Sequence, residues 1–221
     1  MPDVVEKKVL YGNEGFGYAE IDTSAETLKY KPPVFIPGIV STNMELEEKS
    51  TNVPGDNSIF AVIPGAKNRK AEIGFRFIPA KYAELALGYK TSANGMLIDT
   101  NTKKQHCIFW LTKELDAVTN EETETIHYLY NVMASETSVE TTTTGEDEVE
   151  AQELVLSYSA TKSSFVKDAE GKFCAYGKIT RNIANTVLFD SYKNKVLLPT
   201  DVIPSAEPAA LRSGVPAKSA E

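Results

Sequence analysis

Histidine is almost missing from this 221-residue sequence, which holds two, alongside two cysteines and one tryptophan. His106 and His127 each sit alone in a strand-like run without a partner at zinc-site spacing, so both read as surface or satisfied core residues rather than ligands. The sequence has no G-x-S-x-G, no Walker loop and no nucleotide-binding glycine fingerprint behind a strand. "GNEGFG", from Gly12 to Gly17, has the glycines but precedes a strand, and reads as a turn. These absences leave no catalytic, cofactor-binding or metal-ligating residues to nominate. Cys107 in "HCIFWL" and Cys174 in "KFCAYG" lie in apolar runs and read as buried free thiols. No apolar run reaches 18 residues, no secretory h-region follows "MPDVVEKK", and no N-x-S/T sequon occurs. The expectation is a chain made and kept in a reducing cytosol until something else moves it, with no membrane partner.

Positive charge is also short: 23 Lys and Arg face 31 Asp and Glu, for a net charge of −8. Seven of the acids lie between Glu136 and Glu153, a stretch without Lys or Arg. The remaining 24 acids against 23 bases leave the other 203 residues at −1. The body is nearly neutral and the acidity belongs to one segment, which argues against a phosphate-clamping nucleic-acid binder. Glu146, Asp147 and Glu148 are consecutive and lack the alternate spacing and turn glycine of a calcium loop. A carboxylate pair for glycoside hydrolysis needs burial or a focused neighbour. The run reads as a solvated hairpin arm between two firm strands.

What is present is period-two alternation. In "KAEIGFRFI", Ala71, Ile73, Phe75 and Phe77 are expected on one face. In "ETIHYLYNVMA", Ile126, Tyr128, Tyr130 and Val132 form one row while Leu129 and Met133 occupy the other, so that strand is expected to be covered on both sides. "ELVLSYSA" places Leu154, Leu156, Tyr158 and Ala160 together. Further strands are expected at 16–22, 33–36, 39–48, 95–98, 105–113 and 172–179. One helix stands out in "IPAKYAELALGYK", with Pro79 at its first position, Gly88 just past its end, and Tyr82, Leu85 and Ala86 on one face. A weaker helical segment covers "TRNIANTVLFD". The fold class is α+β and β-dominated, a sandwich or barrel with one short helix packed on the sheet.

Two stretches resist a compact domain. Residues 49–70 form a 22-residue connection framed by Pro54-Gly55 and Pro64-Gly65, with Ile59, Phe60, Val62 and Ile63 in its middle. An apolar patch on a projecting loop implies a partner surface. Residues 201–221 carry three prolines among Ala and Ser without periodicity, and read as a flexible tail appended to a domain over 1–200.

The succession "IFWLTKELDAVTNEETETIHYLYNVMASETSVETTTTGEDEVEAQELVLSYSAT" (108–161) resembles the major tail protein family of long-tailed, non-contractile bacteriophages. The similar features are the strand "IHYLYNVMAS", the Thr-rich arm and acidic stretch after it, "ELVLSYSAT", and the closing "VLLPT" at 196–200. "VFIPGIVSTNMELE", a long loop and "AEIGFRFIPAKYAELALGY" fit in order, so the resemblance spans about residues 8 to 200. It implies a virion protein of the tail tube, without enzymatic activity or cofactor. Its copies would form stacked hexameric rings around a DNA conduit, after assembly in the host cytoplasm. Further implied partners are a tape measure protein, a tail terminator and a distal tail protein, with DNA passing through without specific binding. On this reading Ile59, Phe60, Val62 and Ile63 meet the neighbouring ring. Glu140, Glu146, Asp147, Glu148, Glu150 and Glu153 face the lumen or the ring junction. The competing readings are a β-sandwich module binding a glycan or host surface protein, which would need exposed loop aromatics where most tyrosines here fall in strands, and a hydrolase using two of the acids.

Overall fold

The computed structural model describes residues 8–24, 26–55, 58–138 and 152–204. Eleven strands and two short helices follow in the order β1 (Lys8–Asp22), β2 (Lys29–Tyr30), β3 (Val34–Phe35), β4 (Ile39–Gly55), β5 (Ser58–Phe75), α1 (Ala80–Ala86), β6 (Tyr89–Thr91), β7 (Leu97–Asp99), β8 (His106–Asp116), β9 (Glu122–Ser138), β10 (Leu154–Ala160), β11 (Tyr176–Thr180) and α2 (Thr186–Asp190). Nine strands make one antiparallel sheet in the order β2-β1-β8-β9-β10-β5-β4, with β11 added to β9 and β3 to β1. Among the described residues β6 and β7 pair only with each other.

The sheet curls around one core and is plated on its other face by a second. Phe16, Ile73, Phe75, Ile108, Trp110, Leu129, Leu156 and Tyr158 close the first core under α1, which contributes Tyr82, Ala83, Leu85 and Ala86. Cys107, Phe109, Leu111, Ile126 and Tyr128 point the opposite way, where Val166, Leu188, Phe189, Val196 and Leu197 cover them. β8 therefore buries alternate residues on both sides, which is why "HCIFWL" is apolar without a break. α1 forms where expected, although Pro79 is its N-cap rather than its first helical residue. Gly88, at φ 78°, ends it in the left-handed region that favours glycine.

Four expectations about the strands need correction. "GNEGFG" is not a turn: β1 runs straight through it, with one extra residue against β8 between Tyr11 and Asn13 and another between Glu14 and Gly17. Gly12 and Gly15, at φ 67° and 62°, supply the left-handed backbone these bulges use. Second, Val132 does not share a row with Tyr130. β9 carries an extra residue between the pairs His106–Val132 and Ile108–Leu129, so Val132 joins Leu129 in the first core while Tyr130 stays with the second. The bulged backbone is satisfied from outside the ladder, since Tyr130 N–H donates to Ala175 O (2.9 Å), and the hydroxyl of Tyr30 to Tyr130 O (2.5 Å). Third, Phe77 leaves the row of Ala71, Ile73 and Phe75. β5 ends at Phe75, the chain turns as Arg76 N–H donates to Gly38 O, and Phe77 is 63% exposed.

Fourth, residues 49–70 are not an irregular loop. β4 and β5 pair continuously from Ile39–Phe75 to Gly55–Ser58, so the segment is a long hairpin. The prolines and glycines that read as loop punctuation sit beside register shifts, between Glu48 and Ser50 and between Val53 and Pro54. Cys107 is buried as expected, whereas Cys174 is half-buried, in the short segment whose N–H donates to Val166 O. At the far end, Asp201 is tied to the body, accepting from Leu198 N–H (3.0 Å) and pairing with Lys195 (3.1 Å).

Candidate assembly interface

β10 pairs with β5 only from Arg69 to Phe75. Beyond Arg69, β4 and β5 pair only with each other among the described residues, from Glu47–Asn68 out to Gly55–Ser58. Nine β4 residues at about 3.3 Å each make an arm roughly 30 Å long. Its base carries the ion pairs Lys70–Glu47 (2.6 Å) and Lys67–Glu48 (3.3 Å). Towards its tip the charges give way to Ile59, Phe60, Val62 and Ile63, which are 60, 78, 57 and 56% exposed. A two-stranded ribbon bearing that much apolar surface has no stable reason to stand alone in water. The four residues singled out in the sequence are thus brought together, on a strand pair rather than a loop.

Of the acids, Glu140, Glu146, Asp147, Glu148 and Glu150 lie outside the described residues. Glu153 is half-buried beside β5, where its carboxylate accepts from the Ser41 hydroxyl of β4. The segment's two anchors are firm: Ser138 pairs with Val155, and Arg76 donates to Gln152 O at 3.1 Å. Leu154 stands opposite Phe75 and Ala160 opposite Arg69, so the acidic connection leaves the sheet at the end opposite the arm.

Both histidines are committed to the interior. His106 Nδ1 donates to Lys104 O (2.9 Å), which leaves Nε2 to accept from the Tyr82 hydroxyl (3.3 Å), and Tyr158 donates in turn to Tyr82 (2.8 Å). His127 stacks on Trp110 at 5.3 Å, with its ring nitrogens 3.0 Å from the Thr112 hydroxyl and 2.9 Å from that of Tyr176. Burial pushes both imidazoles down to about 4. Tyr82, Tyr128 and Tyr158 are core residues, which takes them away from a glycan-binding role. Among the described residues, no three His, Cys, Asp or Glu side chains gather as for a metal ion, and no helix is long and apolar enough to cross a membrane.

Met96, Leu97 and Ile98 on the β6–β7 hairpin are exposed apolar residues that the sequence pattern did not mark for an interface, and Phe77, expected in a core row, is exposed as well. The signal available was three consecutive apolar residues at a hairpin too short to need them for a core.

Among curated proteins, no relative matches the chain at a significant level. The family model for phage tail tube protein matches residues 1–206, nearly the whole chain. The match covers well over half of the sequence, and the chain belongs to the phage tail tube protein family: it is a structural protein of the bacteriophage virion, located in the tail, whose copies assemble with one another into the tube.

Proposed function

We propose that the chain polymerises as stacked hexameric rings, of the long-tailed non-contractile kind, and that the β4–β5 arm drives the stacking. The observation that carries this is the arm, whose strands pair only with each other among the described residues and which has four large apolar residues more than half exposed near its tip. Burying them against a neighbouring ring contributes on the order of 6–12 kcal/mol per arm before ordering costs, at about 1.5–3 kcal/mol each. Deleting residues 55–66 is expected to leave a folded subunit that no longer elongates, as negative-stain microscopy would show. Long tubes from the deleted chain would remove the arm from the stacking contact.

In this reading the ring encloses the conduit through which DNA leaves for the host, and the chain contacts the tape measure, terminator and distal tail proteins after assembly in the host cytoplasm. The acidic segment lies on the lumen wall or at the ring junction. DNA carries about one negative charge per 1.7 Å of axis, so an acidic wall lets it pass and a basic one holds it. Six such acids per subunit place about 36 carboxylates around a six-fold ring. Changing Glu146, Asp147 and Glu148 to Lys is expected to leave subunit melting unchanged, because exposed charges contribute little to stability. Free tubes of this variant are expected to retain DNA at low salt and release it at high salt. Tubes that bind no DNA at any ionic strength would place the segment on the outer surface.

A further inference from the structure

β5 is one continuous strand whose ends serve opposite poles of the subunit. One end carries the apolar arm tip. At the other, Phe75 stands between Leu154 and Ile39, and the chain turns through Arg76 into α1. Phe77 is exposed at that turn. β6 then doubles back along α1: the Thr91 N–H and hydroxyl both donate to Glu84, and the Tyr89 hydroxyl donates to Glu136 near the end of β9 (2.7 Å). This directs the β6–β7 turn back towards the start of α1, on the Phe75 side. Met96 at that turn, with Leu97 and Ile98 on β7, are 59, 45 and 47% exposed.

We infer that the arm tip of one copy docks on Phe77, Met96, Leu97 and Ile98 at the opposite pole of the next copy. The inference rests on the stacking reading above and names the receiving surface for that arm. A surface that meets its own twin closes a pair and stops. Two different surfaces at opposite poles repeat without limit, as a tube requires. The occupant is a second copy because the arm tip is itself an uncovered apolar surface of this chain, and the family assembles from its own copies. Charge distribution agrees: the ion-paired base of the arm stays solvated while the run Ile59–Ile63, which carries no charged residue, enters the contact.

Two exposed-residue variants separate this inference from the reading beneath it. Phe60→Asp disables the arm, whereas Phe77→Asp with Leu97→Asp disables the receiving pole. Both are expected to melt like the parent chain while raising the critical concentration for tube growth at least about tenfold, the effect of some 1.4 kcal/mol per contact. In a Cys174→Ser background, Phe60→Cys mixed with Leu97→Cys is expected to give disulfides that join two different chains; Cys107 is buried and stays unreactive. If Phe60→Asp halts growth while the receiving-pole variant still grows and no cross-link forms, the receiving surface is wrong and the arm still stacks. If the Phe60→Asp chain also makes long tubes, the stacking reading falls and takes this inference with it.

Discussion

Acidifying the unassembled chain from pH 7 to pH 4.5 is expected to remove about 4 kcal/mol of folding stability, most of it before the carboxylates begin to protonate. Both imidazoles titrate near 6.5 when unfolded and at about 4 when folded, burial being the larger cause in each case. Between those values the unfolded chain binds protons that the folded chain refuses. Stability is therefore complete above about pH 6.5 and declines as pH falls towards 4. His106 is fully enclosed, with Tyr18 and Tyr82 against its ring, while the hydrogen bond to Lys104 O and, more weakly, the charge of Glu20 oppose the effect of burial. It accounts for roughly 2 kcal/mol by pH 5 and about 2.5 by pH 4.5. His127, half-buried between Trp110 and Tyr176 with Lys178 pushing the same way, contributes less. Urea unfolding at pH 7, 6 and 5 measures the slope. His106→Gln is expected to flatten it by about half, and a midpoint that does not move between pH 7 and 5 would show that neither ring is held neutral.

The parts of this fold that were legible in the sequence are those where burial and local propensity agree. α1 is bounded by Pro79 and Gly88 and buries one face, so its capping and its period point to the same residues. β8 is covered on both sides and reads as an unbroken apolar run. The bulge in β9 was not legible, because an extra residue opposite His106 is set by the partner strand and leaves no mark in "YLYNV". The arm was hidden for a different reason. Its strands bury no core, so no alternation is required of them, and prolines that exclude a central strand are tolerated in a two-stranded ribbon. Its four apolar residues were nonetheless visible as an anomaly. Phe77 was the converse case: an alternating pattern carried two residues beyond the end of its strand assigned an exposed side chain to the core.

Tyr82→Ala is expected to cost about 5 kcal/mol, a large share of the roughly 5–15 kcal/mol that holds a domain folded. Tyr82 is fully buried and is the main aromatic contact between α1 and the sheet, edge-on to Phe16 at 5.9 Å and tilted over Tyr18 at 4.6 Å. Truncating a buried aromatic costs about 3–5 kcal/mol for the lost transfer and the cavity left behind. The hydroxyl adds a second loss. With His106 Nδ1 already donating to Lys104 O, Nε2 has the Tyr82 hydroxyl as its donor, and Tyr158 has Tyr82 as its acceptor. Removing the bridge strands two buried polar atoms, at about 1–3 kcal/mol for each that stays unsatisfied. Tyr82→Phe isolates that second loss, because it keeps the ring and deletes only the oxygen, so its expected cost is about 2 kcal/mol. The pH response gives an independent readout. In Tyr82→Ala the cavity lets water reach the imidazole and its folded-state value rises towards 6.5, so the remaining stability becomes less sensitive to acid. Tyr82→Phe keeps the site dry and retains the steep slope. Equal costs for the two variants would mean that the ring contributes nothing beyond its hydroxyl, and would return α1 to a surface turn rather than the lid of the core.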